Sequence, residues 1–257
     1  MLDDRKVEVV CSEALEFLKN WDVDKCGRAD NIYIDPPYMT DRTFVTTDGD
    51  FAYDDKFTTQ SYGAMISPIL WYSKGILADG GHIVVQCDWR ADYIIKGIGH
   101  QVFGQENNVA NIIWHYSSGG ASRKGLSRKY DTLLVWSNGP AKTFNLMREP
   151  YATPNVEDRA GFNPEGRIMH DVWNDIGIVS TTAKERVGWP TQKPLKLLDR
   201  VIKLYSNEGD IWLDFFAGSG TTAVAALQAN RRAIAVDVSE EAVDTIRQRI
   251  VDNKLDT

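Results

Sequence analysis

The residues with the clearest chemistry form the turn Asp35-Pro36-Pro37-Tyr38, which follows the apolar strand-like segment 31–34. Two prolines end a strand and remove two backbone N–H donors, so the turn presents the Asp35 carboxylate and carbonyl oxygens as acceptors. Such an edge complements an NH₂ group, and the Tyr38 ring adds a flat face for stacking. The turn therefore predicts a site for an amino group carried on a ring; the alternative is a rigid turn with a surface acid and a half-buried tyrosine.

A second turn, Gly218-Ser219-Gly220, joins an apolar strand-like segment to a helix-like one. Glycine lets the backbone turn tightly and approach a ligand closely, and free N–H groups at a helix start favour a carboxylate or phosphate. The next strand ends at Asp237, 19 residues beyond Gly218, where an acid can hold both hydroxyls of a ribose. The arrangement suits an adenosine-containing cofactor. A plain strand-to-helix turn and a nicotinamide site are the alternatives.

Together the two turns resemble those of the β-group amino-methyltransferases, which use S-adenosylmethionine (AdoMet) and modify exocyclic amines of DNA bases. Residues 35–38 match that family's catalytic motif, Asp-Pro-Pro-Tyr, and residues 216–220 match its AdoMet motif, Phe-Ala-Gly-Ser-Gly. The catalytic motif precedes the cofactor motif, which is the order of the β group, a circular permutation of the fold. The segment 191–194, Thr-Gln-Lys-Pro, resembles the family's cofactor-side helix start, and the resemblance extends over nearly the whole chain.

The resemblance implies roles for individual residues. The implied catalytic residues are Asp35, Pro36, Pro37 and Tyr38. The implied AdoMet contacts are Asp214, Phe216, Ala217, Gly218, Ser219, Gly220, Thr221, Thr222, Asp237, Val238, Gln192, Lys193 and Pro194. Where the family usually carries Gly-Asp after its first strand, this chain has Cys11-Ser12. Ser12 is therefore the candidate contact to the cofactor adenine.

The resemblance also implies a mechanism. A base inside a duplex hides its amino nitrogen, so the nucleotide must rotate out of the stack. Tyr38 would stack on the extruded base while Asp35 and the Pro36 carbonyl accept its two N–H bonds, which aims the nitrogen lone pair at the AdoMet methyl group. Direct in-line transfer of this kind requires no metal. The family's adenine enzymes mostly carry Asp at the first motif position and its N4-cytosine enzymes more often Ser, which favours N6-adenine in DNA as the target.

Charge restricts how the chain can contact double-stranded DNA. With 29 Lys and Arg against 36 Asp and Glu, the net charge is −7, so the protein as a whole is not a basic coating for nucleic acid. Residues 115–150 are an exception, with six basic and two acidic side chains and a net charge of +4. The predicted DNA contacts in the Gly- and Ser-rich loop 117–129 are Arg123, Lys124, Arg128 and Lys129. The alternative is a solvated basic loop.

Strand-like and helix-like segments alternate along the chain, which indicates a mostly parallel sheet with helices on both faces. The predicted strands are Lys6–Cys11, Asn31–Asp35, His82–Cys87, Val109–Tyr116, Tyr130–Ser137, Asp210–Asp214 and Ala233–Asp237. The predicted helices are Ser12–Trp21, with Ser12 as a candidate cap, Gln60–Leu77, Pro194–Tyr205, Ser219–Ala229 and Ser239–Val251. With the resemblance, the pattern predicts an α/β, circularly permuted Rossmann-like AdoMet-dependent methyltransferase fold.

Two regions lack this regular pattern. We predict a catalytic domain made of residues 1–137 and 191–257, interrupted by an irregular insertion at 138–190 that would recognise the target sequence. Because the insertion is short, a homodimer or another partner would share that task. The polar stretch Met39–Thr59 is predicted to be a long mobile loop that closes over the extruded base. Its candidate wedges are Phe44, Phe51 and Tyr53, and the alternative for each is ordinary loop packing.

Composition excludes several other classes of protein. Hydrophobic residues make up 43% of the chain and charged residues 25%, as in an ordinary globular domain and unlike a disordered one. No apolar run is long enough for a membrane helix, and the first residues lack the apolar core of a signal peptide. The cysteines, Cys11, Cys26 and Cys87, have no metal-ligand spacing. These features predict a cytoplasmic protein without a metal site.

Four alternative functions remain at this point. A DNA cytosine-N4 methyltransferase or an RNA adenine-N6 methyltransferase would share both turns. A non-catalytic nucleic-acid-binding partner subunit would be expected to lose the Asp35 edge or the glycine turn. A nicotinamide enzyme is the fourth, although its glycine fingerprint normally opens the fold, whereas only 20 residues follow Asp237 here.

Overall fold

The structure is a computed structural model that describes residues 6–117, 123–153, 159 and 161–255. The strands in the described residues are β1 (Val7–Cys11), β2 (Ala29–Ile34), β3 (Arg42–Val45), β4 (Phe51–Asp55), β5 (Leu77–Cys87), β6 (Asn108–His115), β7 (Tyr130–Ser137), β8 (Arg148–Glu149), β9 (Arg167–Ile168), β10 (Val172–Trp173), β11 (Ile211–Asp214) and β12 (Arg232–Asp237). The helices are α1 (Ala14–Lys19), α2 (Val23–Cys26), α3 (Thr59–Ile76), α4 (Asp92–Phe103), α5 (Leu195–Tyr205), α6 (Thr221–Gln228) and α7 (Glu240–Asp252).

Eight strands form one sheet in the order β1-β12-β11-β2-β5-β7-β6-β10. All neighbouring pairs are parallel except those that include β7, which runs antiparallel to both β5 and β6. The predicted mostly parallel α/β sheet is therefore confirmed. The sheet order also brings β11, late in the chain, directly beside β2, near its start.

Helices cover both faces of the sheet, and each face has its own apolar core. Alternate residues of a strand point to opposite faces, so Ile32 and Ile34 of β2 pack in one cluster with α1, α3 and α4, while Tyr33 packs in the other with α5, α6 and α7. All three side chains are almost fully buried. The central strand is thus fixed from both sides up to the residue before Asp35.

Two helix starts differ from the prediction. The cap of α1 is Glu13, whose carboxylate accepts a hydrogen bond of 2.8 Å from the Glu16 N–H, so Ser12 as the cap is wrong. A carboxylate one residue later reaches the free N–H groups of the first turn. Pro194 is the cap of α5 and not its first helical residue.

The stretch Met39–Thr59 is not a long loop, and the prediction of one is wrong. It contains a β-hairpin of β3 and β4, in which the rings of Phe44 and Tyr53 stack with their centroids 4.8 Å apart. Its base is held by Asp55, which is 1% exposed and accepts hydrogen bonds from the N–H groups of Met39 (2.6 Å) and Thr40 (3.0 Å). Cross-strand aromatic contacts and a buried acid thus stabilise a segment whose sequence is mostly polar.

Helix α4 was not predicted, because Gly97 and Gly99 weaken the helical pattern of its sequence. The structure gives the reason for the second glycine: a Cβ atom on Gly99 would lie 2.3 Å from the Trp136 ring. The glycine allows the helix to pack directly on a buried indole of β7.

Region 138–190 contains little regular structure, as expected. Strands β8 and β9 pair only with each other, whereas β10 joins the main sheet beside β6. Trp173 of β10 is buried in the sheet's core, and the Trp114 indole N–H of β6 donates to the Ile176 carbonyl at 2.8 Å. Part of this region is therefore continuous with the sheet, and the predicted division into a catalytic domain and an insertion stays a prediction.

Candidate active site

The two turns found in the sequence meet at one edge of the sheet. Strands β2 and β11 are parallel neighbours, with Ile32 opposite Leu213, so their carboxyl ends lie side by side. Asp35 follows β2 and Gly218 follows β11 after a short turn, and both line the same cavity of about 190 Å³. Two segments about 180 residues apart in sequence therefore build one site, as predicted.

Most of the predicted cofactor and catalytic residues line this cavity, which we call the donor cavity. They are Asp35, Pro37, Gln192, Lys193, Asp214, Phe216, Ala217, Gly218, Ser219, Thr221, Thr222, Asp237 and Val238. The predicted residues that do not line it are Ser12, Pro36, Tyr38, Pro194 and Gly220. The lining residues that the sequence did not assign to catalysis or to cofactor binding are Tyr33, Ala52, Tyr53, Trp189, Pro190, Thr191 and Leu198.

The glycine turn has a backbone that only glycine adopts readily. Gly218 and Gly220 have φ angles of 49° and 74°, in the left-handed region. A Cβ atom on Gly220 would lie 2.7 Å from Cγ1 of the buried Ile246, and one on Gly218 would lie 3.0 Å from the Trp189 indole nitrogen. Backbone shape and close packing thus both require glycine here. Gly220 does not line the cavity but packs against Ile246.

Two buried carboxylates brace this turn. Asp214 accepts from the Phe216 N–H at 3.0 Å and from the Thr222 hydroxyl at 2.6 Å, and burial raises its pKa to about 7. Asp237 accepts from the Gly218 N–H at 2.8 Å, and burial raises its pKa above the usual range. Both carboxylates face the cavity with lone pairs that these bonds do not use.

Asp35 is held by two side chains from different parts of the molecule. One carboxylate oxygen accepts from the Tyr38 hydroxyl, and the other is paired with the Lys193 ammonium group. The Lys193 ammonium also lies 5.3 Å from the centroid of the Tyr38 ring. The backbone carbonyl of Lys193 accepts a hydrogen bond from the Thr221 hydroxyl at 3.2 Å. Lys193, predicted as a cofactor contact, therefore links the turn at residues 35–38 directly to the helix that follows the glycine turn.

A buried polar network lies behind Tyr38. Its centre is Asp131, at the start of β7, which is 5% exposed. This carboxylate accepts from the Gln86 amide at 2.9 Å and from the Tyr116 hydroxyl at 3.0 Å, and the Tyr38 hydroxyl lies 3.4 Å from it. Burial raises the pKa of both Asp131 and Tyr38. No sequence motif pointed to Gln86, Tyr116 or Asp131, because these three residues come from separate segments of the chain.

The hairpin of β3 and β4 covers the donor cavity. Ala52 and Tyr53 line the cavity, and the Tyr53 hydroxyl lies 3.0 Å from the Thr191 hydroxyl. Trp189 packs in a small apolar cluster with Ala52. Tyr53 therefore lies in the wall of the donor cavity. Its role as a wedge in DNA stays a prediction. Phe44 packs against Tyr53, whereas Phe51 is 62% exposed.

Ser12 lies next to the donor cavity without lining it. Its N–H donates to the Asp237 carbonyl at 2.9 Å and its hydroxyl to the Glu13 carbonyl at 3.2 Å. The residue thus sits just after β1, which is the neighbour of β12 in the sheet, and its hydroxyl is bonded to the backbone of the next residue. A role in contacting adenine has no support from this geometry.

A second, polar cavity of about 570 Å³ lies beside the polar network and the turn at residues 35–38, which we call the acceptor turn. It is lined by Thr40, Arg42, Asp88, Trp89, Arg90, Tyr116, Leu126, Ser127, Arg128 and Tyr130. The Arg128 guanidinium carbon stacks 3.4 Å from the centroid of the Trp89 ring, and Arg90 is paired with Asp88. Burial raises the Asp88 pKa to about 6. We call this the arginine cavity, because three guanidinium groups surround it.

The predicted basic contacts do not all reach the arginine cavity. Arg128 lines it, whereas Arg123 and Lys124 are exposed on the loop and Lys129 is half-buried. Residues 118–122 of the same loop lie outside the described part of the chain.

The donor cavity fits AdoMet, which carries a positively charged sulfonium. Three carboxylates line it, those of Asp35, Asp214 and Asp237, against the single ammonium group of Lys193 among the described lining residues. Aromatic rings and glycine backbone form other parts of the wall, which suits an adenine ring and a close approach of the chain. The residues that line the cavity thus match both the charge and the apolar parts of the cofactor.

Membrane and metal features are absent from the part of the chain that the structure describes. None of the helices there is long and apolar enough to cross a membrane. Within the same residues, no group of three or more His, Cys, Asp or Glu side chains is arranged to hold a metal ion.

Comparisons with known proteins identify the family of this chain. A family model described as DNA methylase matches residues 29–248. The Type II methyltransferase M2.DpnII of Streptococcus pneumoniae is 41% identical over 257 residues, covering 95% of this chain and 90% of that protein. The Type II methyltransferase M.HpaI of Haemophilus parainfluenzae is 32% identical over 243 residues, covering 94% of this chain and 73% of that protein.

Solved structures share the fold. The complex of M1.HpyAVI with SAM has a TM-score of 0.67 at 19% identity and covers 95% of this chain and 98% of that one. The PvuII DNA methyltransferase, described as cytosine-N4-specific, has a TM-score of 0.72 at 15% identity and covers 96% and 87%. The circularly permuted Rossmann-like fold is thus confirmed. Because the family model spans most of the chain, the protein belongs to the N6/N4 family of AdoMet-dependent DNA methyltransferases.

Proposed function

We propose that this protein methylates the N6 amino group of adenine in double-stranded DNA. The observation that carries the proposal is the position of Asp35, whose carboxylate borders the donor cavity at the end of β2. A carboxylate at this place can accept an amino N–H beside the bound methyl donor. An acid in the first position of the motif also favours adenine over cytosine, on the resemblance given above.

Asp35 and the Pro36 carbonyl would accept the two N–H bonds of the target amine. These hydrogen bonds draw the nitrogen lone pair out of conjugation with the ring and direct it toward the donor cavity. When bound there, AdoMet supplies an electrophilic methyl group. The protein's contribution is positioning and electrostatic stabilisation, and Lys193 serves it by fixing the orientation of the Asp35 carboxylate.

Tyr38 would stack on the extruded base. Its ring is half-buried against the core that includes α1 and α3, so its orientation is fixed before the base arrives. A preset ring reduces the entropy lost on binding and offsets part of the few kcal/mol that unstacking a nucleotide costs.

The cofactor would be held from three sides of the donor cavity. We assign the ribose hydroxyls to Asp237 and the close backbone contact to Gly218. The aromatic side chains of Tyr53 and Trp189, which the sequence did not reveal, would pack against the cofactor's rings. Asp214 would lie near its positive charge.

The DNA backbone would cross the arginine cavity. Arg42 and Arg128 line it and carry positive charge close to the acceptor turn, and phosphate contacts supply most of the non-specific affinity for DNA. Arg123, Lys124 and Lys129 would extend this contact along the loop. Region 138–190 would recognise the target sequence as an insertion in the catalytic domain, with a second copy of the chain as its candidate partner.

The decisive experiment is incubation with labelled AdoMet and duplex DNA of many sequences, followed by mass spectrometry of the nucleosides. We expect N6-methyladenine, and none with Asp35→Ala. N4-methylcytosine as the sole product would refute the adenine assignment. The same assay with RNA of matching sequence tests the RNA alternative, since preferential modification of RNA would contradict the proposal.

A further inference from the structure

The Tyr38 hydroxyl lies between two carboxylates. It donates to Oδ1 of Asp35, and its oxygen is 3.4 Å from Oδ2 of Asp131. A phenol has one proton and donates one hydrogen bond at a time. Burial raises the pKa of Tyr38 well above its ordinary value, so the group stays protonated and remains a donor in the working pH range.

Both oxygens of Asp35 are engaged in this structure. Oδ1 accepts from Tyr38 and Oδ2 is paired with Lys193. Each oxygen keeps a second lone pair, but a target amine that donates to Oδ1 would share that oxygen with the Tyr38 hydroxyl, and two donors on one oxygen weaken each other. The Lys193 pair is ionic and also joins the two turns, so the neutral Tyr38 hydroxyl is the partner that can leave at the lower cost.

Asp131 is built to accept a hydroxyl at this position. Its side chain is 5% exposed and its orientation is fixed by the Gln86 amide, which is itself fixed by a hydrogen bond of 2.6 Å from the Tyr33 hydroxyl. The Asp131 carboxylate keeps lone pairs that the bonds from Gln86 and Tyr116 do not use, and the Tyr38 hydroxyl oxygen lies 3.4 Å from its Oδ2.

We propose that Asp131 is a positioning residue that takes over the Tyr38 hydroxyl when the target amine binds, leaving Oδ1 of Asp35 free to accept the amine N–H. No proton changes residue in this step, since the O–H bond stays on Tyr38 and only its acceptor changes. The inference rests on the proposed function, because it requires an amine on Asp35.

A double-mutant cycle tests the proposal. Asp131→Leu removes the second acceptor at similar volume, so the hydroxyl stays on Asp35 and competes with the amine. Because a hydrogen bond to a charged group is worth about 1.5–3 kcal/mol, kcat should fall about tenfold or more. In the Tyr38→Phe background no hydroxyl competes, and adding Asp131→Leu should change kcat by less than about twofold.

Controls separate this role from a structural one. Asp131→Asn keeps an acceptor oxygen toward Tyr38 and turns its NH₂ toward the Tyr116 hydroxyl, so it should restore most of the lost kcat. AdoMet affinity should be unchanged in every variant. If Asp131→Leu does not melt cooperatively, Asp131→Val takes its place in the cycle.

The outcomes are distinguishable. If Asp131→Leu lowers kcat equally in the unmodified protein and in the Tyr38→Phe background, the positioning role is overturned, because the effect does not pass through the hydroxyl. An Asp131→Asn variant as impaired as Asp131→Leu would overturn it too. Failure of the unmodified protein to methylate any DNA amine would instead remove the proposed function.

Discussion

The two turns that meet at the sheet edge are built in opposite ways. Residues 35–38 contain two prolines, so the acceptor turn is stiff and lacks two N–H donors. Residues 218–220 contain two glycines with left-handed backbone, so the donor turn is shaped by its main chain. The first turn offers acceptors to an amine, whereas the second lets the backbone come close to a cofactor.

Their supports differ as well. The acceptor turn depends on side chains from distant segments, such as Lys193 and the network around Asp131. The donor turn is braced by carboxylates at the ends of its own strands, Asp214 and Asp237. Substitutions at the acceptor turn should therefore change turnover, and those at the donor turn should change cofactor affinity and stability.

The largest expected effect comes from Asp35→Ala, which removes the acceptor side of the comparison. Loss of one preorganised electrostatic group costs about 10²–10³-fold in kcat, and turnover in this variant should fall at least that far. AdoMet affinity should fall far less than turnover, because Asp214 and Asp237 still line the donor cavity. Single-turnover transfer from labelled AdoMet and calorimetric titration measure the two quantities. A variant that keeps a tenth of the kcat would contradict the division of roles.

Gly220→Ala should distort the glycine turn at residues 218–220. The new Cβ would meet Ile246 at 2.7 Å while the backbone holds a φ of 74°, so the free energy of unfolding should fall by about 1–3 kcal/mol. AdoMet affinity should fall as well. Denaturant unfolding and titration measure both.

Gly209→Ala is the matched control for that variant. Gly209 also has a positive φ, 87°, but a Cβ there would have no atom within 4 Å. The control should therefore show the backbone cost alone and leave AdoMet affinity unchanged. Equal loss of stability in the two variants would show that packing against Ile246 contributes nothing.

Asp214 should make AdoMet affinity depend on pH. Burial raises its pKa to about 7, so the carboxyl is mostly protonated at pH 6 and mostly ionised at pH 8. A cationic cofactor favours the ionised form, and below pH 7 its binding must release a proton. The AdoMet Kd should therefore fall by up to about tenfold from pH 6 to pH 8.

Asp214→Asn should flatten this dependence, although Asp35, Asp237 and Lys193 still line the cavity. Titration calorimetry at several pH values measures the slope. An unchanged slope in the variant would show that Asp214 does not cause the pH dependence.

The smallest effect is expected outside both turns, at Arg128. Its guanidinium lines the arginine cavity, so Arg128→Gln should reduce the slope of log K for DNA against log salt by about 1. Arg247→Gln, on the exposed face of α7, is the control and should leave the slope unchanged. An identical slope in the Arg128 variant would place the phosphate contacts elsewhere.

Much of the fold follows from local pattern. The alternation of strands and helices predicts the parallel sheet, since buried strands and amphipathic helices leave clear periodicity. Helix α4 was missed because Gly99 is chosen for its contact with Trp136, a residue far away in sequence. The β3–β4 hairpin was missed because the residue that secures it, Asp55, is a buried acid that reads as a polar loop residue.

The site was predictable where chemistry is concentrated in a short segment. The turns at 35–38 and 218–220 are recognisable because proline and glycine have strong backbone effects. Trp189, Tyr53 and Asp131 are not, since each is an ordinary residue whose place depends on the packing of distant elements. Lys193 lies between these cases: its segment was identified, but its pairing with Asp35 required the structure.

The sheet order has a consequence for synthesis of the chain. Strand β11 lies between β2 and β12, so β2 has no neighbour on that side until residues 211–214 have left the ribosome. Translation proceeds from the amino end, and an uncovered apolar strand edge is a template for aggregation. For most of its production the growing polypeptide thus carries the turn at residues 35–38 beside an open strand edge, and that edge is protected only when β11 arrives, with the glycine turn directly behind it.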